Sequence, residues 1–197
     1  MSHRFSTVLI DNIIKHILIP NLGHDLLVEC RFVNSHWKHA CTTEILKRKY
    51  GDKKYINLVG KQLTSVPAEI GSLQNLQQLS LFDNQLTSVP PEIGSLQQLQ
   101  TLTLSYNQLT SVPAEIGSLQ QLQILWLSNN QLTSVPDEIG SLQNLIWLSL
   151  NNNQLTSVPA EIGSLQQLRF LYLRNNQLSS SIITRLREQL PNCMINI

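Results

Sequence analysis

The feature that most constrains this chain is an internal repeat with a period of 23 residues. Leucines mark the period at Leu58, Leu81, Leu104, Leu127, Leu150 and Leu173. The stretch LTSVPAEIGSLQNLQQLSLFDNQ, residues 63–85, returns almost letter for letter in the units that follow. Repeats of about 20 to 50 residues form stacked units, because one unit alone cannot bury its apolar face. The sequence therefore predicts an elongated stack with one shared core.

The constant letters of each unit predict a strand, a bend and a short helix. Leu79 and Leu81 have the period of two of a β-strand, which directs both leucines to one face. Asn84 and its equivalents follow the strand, where the amide can bond backbone groups of its own and the neighbouring coil. The Val-Pro pair that comes next favours an extended return segment. Glu-Ile-Gly-Ser-Leu then predicts one turn of α- or 3₁₀-helix that ends at Gly94 and its equivalents.

The pattern L-x-x-L-x-L-x-x-N-x-L occurs in full five times, beginning at Leu76, Leu99, Leu122, Leu145 and Leu168. Residues 55–197 therefore resemble the leucine-rich repeat family. They are most similar to its 23-residue L-P-x-x-I-G-x-L class, found in intracellular Ras-group scaffolds and in pathogen proteins. The resemblance implies an α/β solenoid, a horseshoe with a parallel β-sheet on its concave face. Such motifs are specific for a fold and not for a function.

Three parts are expected along the chain. Residues 1–54 form a small helical domain or cap, residues 55–178 form six repeat coils, and residues 179–197 form a C-terminal cap. The cap lacks Val-Pro, and its apolar residues have helical spacing at Ile182, Ile183, Leu186 and Leu190. Pro191 ends this helix, and a last short strand follows. The first coil also departs from the pattern, because Lys61 stands where later coils have Asn.

The positions that change between units alternate with the core leucines and should point to the concave face. All seven aromatic residues after position 54 occupy such positions, namely Tyr55, Phe82, Tyr106, Trp126, Trp147, Phe170 and Tyr172. Strands lie about 4.8 Å apart, so the last four rings should form one patch. Large aromatic patches mark interaction sites, so these residues, with Asp83 and Arg174, are the predicted protein-binding surface. In the alternative, the rings pack on each other and only seal the sheet.

Residues 8–50 lack the repeat and are predicted to form three short helices, with the break IPNLGHD after the first. Their spacing resembles the F-box, with matching residues at Leu9, Asp11, Ile14, Ile17, Asp25, Leu26, Leu27, Cys30, Val33 and Trp37. Ile10 stands where that family usually has Pro. The alternative is a plain helical cap for the solenoid.

The F-box resemblance implies docking on the small adaptor subunit of an SCF-type, cullin-RING ubiquitin ligase. The adaptor-binding residues that it implies are Leu9, Ile13, Ile14, Ile17, Leu26, Leu27, Val33 and Trp37.

Composition argues against several other classes. Lys and Arg number 14 against 13 Asp and Glu, so the chain has no field suited to nucleic acid. Three cysteines form no disulfide framework, the first ten residues lack the long apolar core of a signal peptide, and no apolar run is long enough for a membrane span. These features predict a cytoplasmic protein, in the host cytosol if it is a secreted effector.

Cys30, His36, His39 and Cys41 match no common zinc module. No catalytic or phosphate-binding motif occurs, so no enzyme activity, metal or cofactor is expected.

Together these features predict a non-enzymatic adaptor that is monomeric alone. Its F-box-like segment docks on the ubiquitin ligase and its concave face holds a substrate protein. The near-identity of the repeats suggests recent duplication, which fits a pathogen effector acting in a host cell. In the alternative, a scaffold or regulator binds a small GTPase or a phosphatase through the same face, and residues 1–54 are only a cap. A third possibility is a purely structural role.

Overall fold

The computed structural model describes residues 50–197, which form one seven-stranded parallel sheet with strands in chain order. The strands are β1 (Tyr55–Asn57), β2 (Gln78–Ser80), β3 (Thr101–Thr103), β4 (Ile124–Trp126), β5 (Trp147–Ser149), β6 (Phe170–Tyr172) and β7 (Met194–Asn196). The predicted solenoid with a parallel sheet is therefore confirmed for these residues. The helical domain predicted for residues 1–54 lies, up to residue 49, outside the described residues.

A short 3₁₀-helix connects each of the first five strands to the next. These helices are η1 (Ala68–Ser72), η2 (Pro91–Ser95), η3 (Ala114–Ser118), η4 (Asp137–Ser141) and η5 (Ala160–Ser164). Each begins directly after the proline of Val-Pro, as at Pro90, whose φ of −70° and ψ of 147° are extended. Proline holds φ near this value. Because it has no N–H, it leaves no backbone donor unpaired where the extended segment ends.

The α-helix α1 (Ser180–Gln189) follows β6 and leads to β7. Its Leu186 is fully buried and Leu190 nearly so, and both belong to the same apolar cluster as the repeat leucines. Arg185 Nη2 donates a hydrogen bond of 2.8 Å to the Val158 carbonyl in the coil below. The residues assigned to the C-terminal cap thus form α1 and β7, which pack on the last repeat.

The strands pair in a register that repeats the 23-residue period without a shift. Leu79 is paired with Leu102, Leu102 with Leu125, and Leu125 with Leu148. The repeat leucines of the central coils, such as Leu127, have no exposed surface. Equivalent side chains therefore form straight columns along the stack, both in the core and on the opposite face of the sheet.

The asparagine that follows each strand bonds backbone groups of two coils, as the sequence predicts. Asn107 Oδ1 accepts from the Leu86 N–H at 3.0 Å. Its Nδ2 donates to the carbonyls of Leu81 and Leu104 at 3.0 and 2.9 Å. Two of these three groups belong to the preceding coil. The first coil, with Lys61 at this position, therefore relies on the asparagine of the second coil.

The prediction that each short helix ends at its glycine is wrong. Gly140 lies inside η4 and has no left-handed backbone, and a Cβ added there would lie 2.5 Å from the backbone oxygen of Glu161. Such a separation is well below van der Waals contact, so only glycine allows η4 and η5 to stack this closely. The glycine is therefore required by packing between neighbouring coils and not by helix termination.

Candidate protein-binding face

The concave face consists of side chains that alternate with the core leucines on β1–β6 and of two residues after each strand. One column, defined by strand register, contains Tyr55, Gln78, Thr101, Ile124, Trp147 and Phe170. The next contains Asn57, Ser80, Thr103, Trp126, Ser149 and Tyr172. The structure thus places five of the seven aromatic residues predicted to bind protein in these two columns, and Phe82 and Tyr106 follow β2 and β3.

Four rings at the C-terminal end make contact and form what we call the four-ring cluster, Trp126, Trp147, Phe170 and Tyr172. Trp147 is its centre, with ring centroids 4.7 Å from Phe170, 5.5 Å from Tyr172 and 6.5 Å from Trp126. The Tyr172 ring is nearly parallel to the Trp147 ring, and the Trp126 ring meets it by its edge. Such pairs add about 0.5–1.5 kcal/mol beyond the area that they bury.

The four rings pack on each other without being sealed from solvent. Trp147, Phe170 and Tyr172 are half-buried, whereas 38% of Trp126 is exposed. In its column Trp126 is flanked by the short side chains of Thr103 and Ser149. The indole therefore protrudes between small neighbours. A protruding tryptophan beside a half-buried aromatic platform is the kind of anchor found at protein interfaces.

Phe82 and Tyr106 form a second, smaller cluster toward the N-terminal end, which we call the Phe82–Tyr106 pair. Their ring centroids are 5.0 Å apart, and 52% of Tyr106 is exposed. Tyr55 is 61% exposed and contacts no other ring among residues 50–197. The seven aromatic residues are thus divided into a cluster of four, a pair and a single ring.

Short hydroxyl side chains occupy positions of the face beside the two clusters. Thr103 Oγ1 donates to Ser80 Oγ at 2.8 Å, and Ser105 Oγ accepts from the Ser128 N–H at 3.1 Å. Ser128 and Ser149 share a hydrogen bond of 2.5 Å between their hydroxyls. These hydroxyls therefore have hydrogen-bond partners within the face and need no charged partner.

A ladder of exposed amides lies beside the four-ring cluster, and the sequence analysis did not assign it a role. Asn175 Nδ2 donates to Asn152 Oδ1 at 2.6 Å, and Asn152 Nδ2 donates to Asn129 Oδ1 at 2.9 Å. All three have positive φ, between 53° and 56°. Asn tolerates this left-handed conformation better than most residues, so the asparagine repeated at this position was the available signal.

In the part of the chain that the structure describes, the concave face carries only two charged residues, which lie toward opposite ends of the sheet. Asp83 follows β2 and Arg174 follows β6, and both are exposed. Within residues 50–197 neither side chain takes part in an ion pair or a side-chain hydrogen bond. The face is therefore almost neutral, with one unpaired charge of each sign.

The residues predicted to bind the ligase adaptor lie outside the described residues. In the described part of the chain, no group of three or more His, Cys, Asp or Glu residues is arranged to hold a metal ion. None of the helices between residues 50 and 197 is both long and apolar enough to cross a membrane. Cys193 is a half-buried free thiol near β7, and burial raises its pKa to about 11.

The fold and this face define a repeat protein that presents variable side chains on a uniform sheet. A family profile of the leucine-rich repeat region matches residues 52–127 and 92–191, which together are more than half of the chain. The chain belongs to the leucine-rich repeat family and has the features of a protein-interaction scaffold. This fold is typically non-catalytic. The profile begins at residue 52, so it lends no support to the F-box resemblance of residues 8–50.

Several solved structures are similar to this chain. A leucine-rich repeat protein of Leptospira interrogans, LIC12759, is 46% identical with a TM-score of 0.68, over 69% of this chain and 35% of that one. A TDR receptor is 29% identical with a TM-score of 0.63, over 72% and 25% of the two chains. The plant peptide hormone receptor RGFR1, in complex with RGF2, is 26% identical with a TM-score of 0.57, over 72% and 27%.

The chain thus spans 35% or less of the length of these solved relatives. No curated protein matches it.

Proposed function

We propose that the concave face binds another protein, with the four-ring cluster as its main anchor. The observation that carries this proposal is the protruding Trp126, supported by the half-buried rings of Trp147, Phe170 and Tyr172. Trp and Tyr dominate binding energy at protein interfaces because they bury a large area with few rotatable bonds. The near-neutral charge of the face argues against nucleic acid, whose binding depends on many Lys and Arg contacts to phosphate.

The test is capture of proteins from a eukaryotic lysate by the immobilised full chain, compared with a Trp126→Ser/Trp147→Ser variant. Each substitution should weaken binding by ~2 kcal/mol or more if it removes a hot spot. A matched control is Glu115→Gln/Glu138→Gln, which changes exposed side chains on η3 and η4. Proteins retained by the wild type and the control but lost by the tryptophan variant support the proposal. Equal capture by all three chains contradicts it.

A finer proposal concerns the other partner and rests on sequence alone. The F-box-like spacing of residues 8–50 would dock the chain on an SCF-type ubiquitin-ligase adaptor, so that the protein held on the concave face becomes a substrate. In the alternative, residues 1–54 are a cap and the concave face serves a small GTPase or a phosphatase. Both versions use the same concave face, and they differ in the role of residues 1–54 and in the protein that the face binds.

Paired substitutions in the N-terminal segment distinguish these versions. In the adaptor version, Ile13→Asp/Leu26→Asp abolishes co-purification of the ligase adaptor and leaves the unfolding midpoint of the repeats nearly unchanged. In the cap version, the wild-type chain does not capture the ligase adaptor, and the same pair unfolds the first coil. Capture on the concave face is measured in parallel, because it should persist in the adaptor version.

A further inference from the structure

One backbone position of the repeat is left-handed in every coil, and one residue there is unexpected. The position has φ between 53° and 64° and is occupied by Gly60, Asp83, Tyr106, Asn129, Asn152 and Asn175. Gly, Asn and Asp adopt this conformation most readily, whereas a bulky side chain is strained in it. Tyr106 is therefore the exception in a column that otherwise follows the backbone preference.

The residues at equivalent positions in the following coils show that asparagine would fit position 106 better than tyrosine. Asn175, Asn152 and Asn129 form the amide ladder, and the next rung along the column is position 106. Tyr106→Asn would relieve the strain and offer Asn129 a further amide partner. Stability alone would thus favour asparagine here. Strained conformations that persist tend to mark functional positions.

What tyrosine adds at this position is an exposed ring. More than half of Tyr106 is accessible to solvent, and its ring lies against Phe82 at 5.0 Å. Tyr106 follows β3, and the nearest ring of the four-ring cluster, Trp126, lies on the adjacent strand β4, one strand spacing or roughly 5 Å along the stack. The short hydroxyl side chains beside both groups form hydrogen bonds within the face. Within residues 50–197 no ring contact joins the two groups, so the face offers two apolar contact points on successive coils, which define a path along the stack.

The two unpaired charges have opposite signs, so they favour one chain direction for a polypeptide bound along the stack. Asp83 directly follows Phe82 in sequence, and Arg174 lies two residues beyond Tyr172 of the four-ring cluster. They follow β2 and β6, four strand spacings or about 19 Å apart, which an extended chain covers in about six residues. Lys61 lies near the N-terminal end, and it forms no ion pair with Asp83 within residues 50–197.

We propose that the Phe82–Tyr106 pair is a second anchor site, and that the face recognises an extended polypeptide segment with two apolar anchor residues. The segment carries a basic residue over Asp83 and an acidic residue over Arg174, about six positions apart, and is otherwise uncharged. This inference rests on the proposed protein-binding role and adds the chemistry of the partner. Tyr106 is kept in a strained conformation because its ring forms part of the second anchor.

The test uses a phage-displayed library of random 12-residue peptides selected on the immobilised full chain. Enriched peptides are synthesised, and their affinity is measured by fluorescence polarisation. We expect two apolar residues and an opposite pair of charges in the enriched sequences. Tyr106→Asn should weaken binding at least tenfold, while Tyr106→Phe, which keeps the ring, stays within threefold of the wild type. Asp83→Lys should weaken binding, and replacing the basic residue of the peptide by Glu should restore it.

Thermal unfolding of the same variants provides the structural readout. Tyr106→Asn should unfold at a midpoint equal to or above that of the wild type, because the backbone strain is relieved. A lower midpoint with unchanged peptide affinity would show that Tyr106 only supports packing, and would overturn the proposal. Failure to enrich peptides whose binding depends on Tyr106 also overturns it. If Trp126→Ser abolishes binding and Tyr106→Asn does not, the second anchor is rejected and the proposed protein-binding face remains.

Discussion

Gly140 in one 3₁₀-helix and Glu161 in the next approach so closely that a Cβ on Gly140 would lie 2.5 Å from the Glu161 backbone oxygen and 2.6 Å from its Cβ. The contact joins two backbones, so neither side can move without separating the coils. Equivalent glycines at positions 71, 94 and 117 make the same approach to the following coil. The stack spacing on this side of the solenoid is thus set by the absence of a side chain.

Gly140→Ala should therefore destabilise the fold by about 1–3 kcal/mol, the usual result of overpacking. The matched control is Gly163→Ala in η5, where the nearest atoms belong to the flexible Gln189 side chain of α1. That side chain can move aside, so we expect a smaller effect. Chemical denaturation followed by circular dichroism measures both. An equal loss at the two positions would contradict the role assigned to the Glu161 backbone.

The asparagines that bond the backbone of two coils should differ in importance along the stack. Asn130 is 8% exposed; its Oδ1 accepts from the Leu109 N–H, and its Nδ2 donates to the carbonyls of Leu104 and Leu127. Asn130→Ala leaves these groups unpaired and should cost ~1–3 kcal/mol or more. Asn176 makes the same kinds of bonds but is only half-buried, so water can replace its amide. Asn176→Ala should cost less by equilibrium unfolding, and a neutral result at Asn130 would mean that water also reaches the buried groups.

The two tryptophans of the four-ring cluster should separate binding from stability. Trp147 contacts three rings, so Trp147→Ala should lower the free energy of unfolding by about 1–3 kcal/mol. Trp126 meets one ring by its edge and protrudes, so Trp126→Ala should change stability by less than about 1 kcal/mol. Both should weaken capture of a protein partner. Thermal unfolding and capture assays on the same preparations test this, and a large stability loss at Trp126 would favour a sealing role for the rings.

Cys193 should react slowly with alkylating reagents at neutral pH. Burial raises the pKa of its thiol to about 11, and the nearby Arg169 charge only partly opposes this effect. The thiolate is the reactive form, so at pH 8 its reaction with iodoacetamide should be roughly a hundredfold slower than that of an ordinary thiol. The rate should keep rising up to about pH 11, where an ordinary thiol has already levelled off. The reaction is followed by peptide mass mapping at Cys193, with glutathione as the reference thiol. A rate close to that of glutathione would contradict the burial of the Cys193 thiol.

The sequence alone was sufficient to predict the repeat unit and its core. The spacing of Leu79, Leu81 and Asn84 requires a strand followed by a bend, and the 23-residue period requires neighbouring coils to stack in register. These features are local or strictly periodic, so they can be read without coordinates. The same periodicity identified which positions face away from the core, and hence which aromatic residues share a surface.

Other features depended on distances between coils. Gly140 resembles a helix-ending glycine in sequence, and only the position of Glu161 shows that it permits close stacking. The repeated asparagine hints at a left-handed backbone, but only the φ of 58° at Tyr106 shows that tyrosine adopts it too.

The sequence by itself determined that this chain is a leucine-rich repeat solenoid whose variable positions line one face. Only the tertiary structure decided how those positions are grouped. Trp147 contacts three other rings, while Phe82 and Tyr106 form a separate pair, with hydrogen-bonded hydroxyls beside both groups. The reason is physical. A repeat places residues in columns, but contacts between columns depend on side-chain size and rotamer, which only the assembled sheet defines.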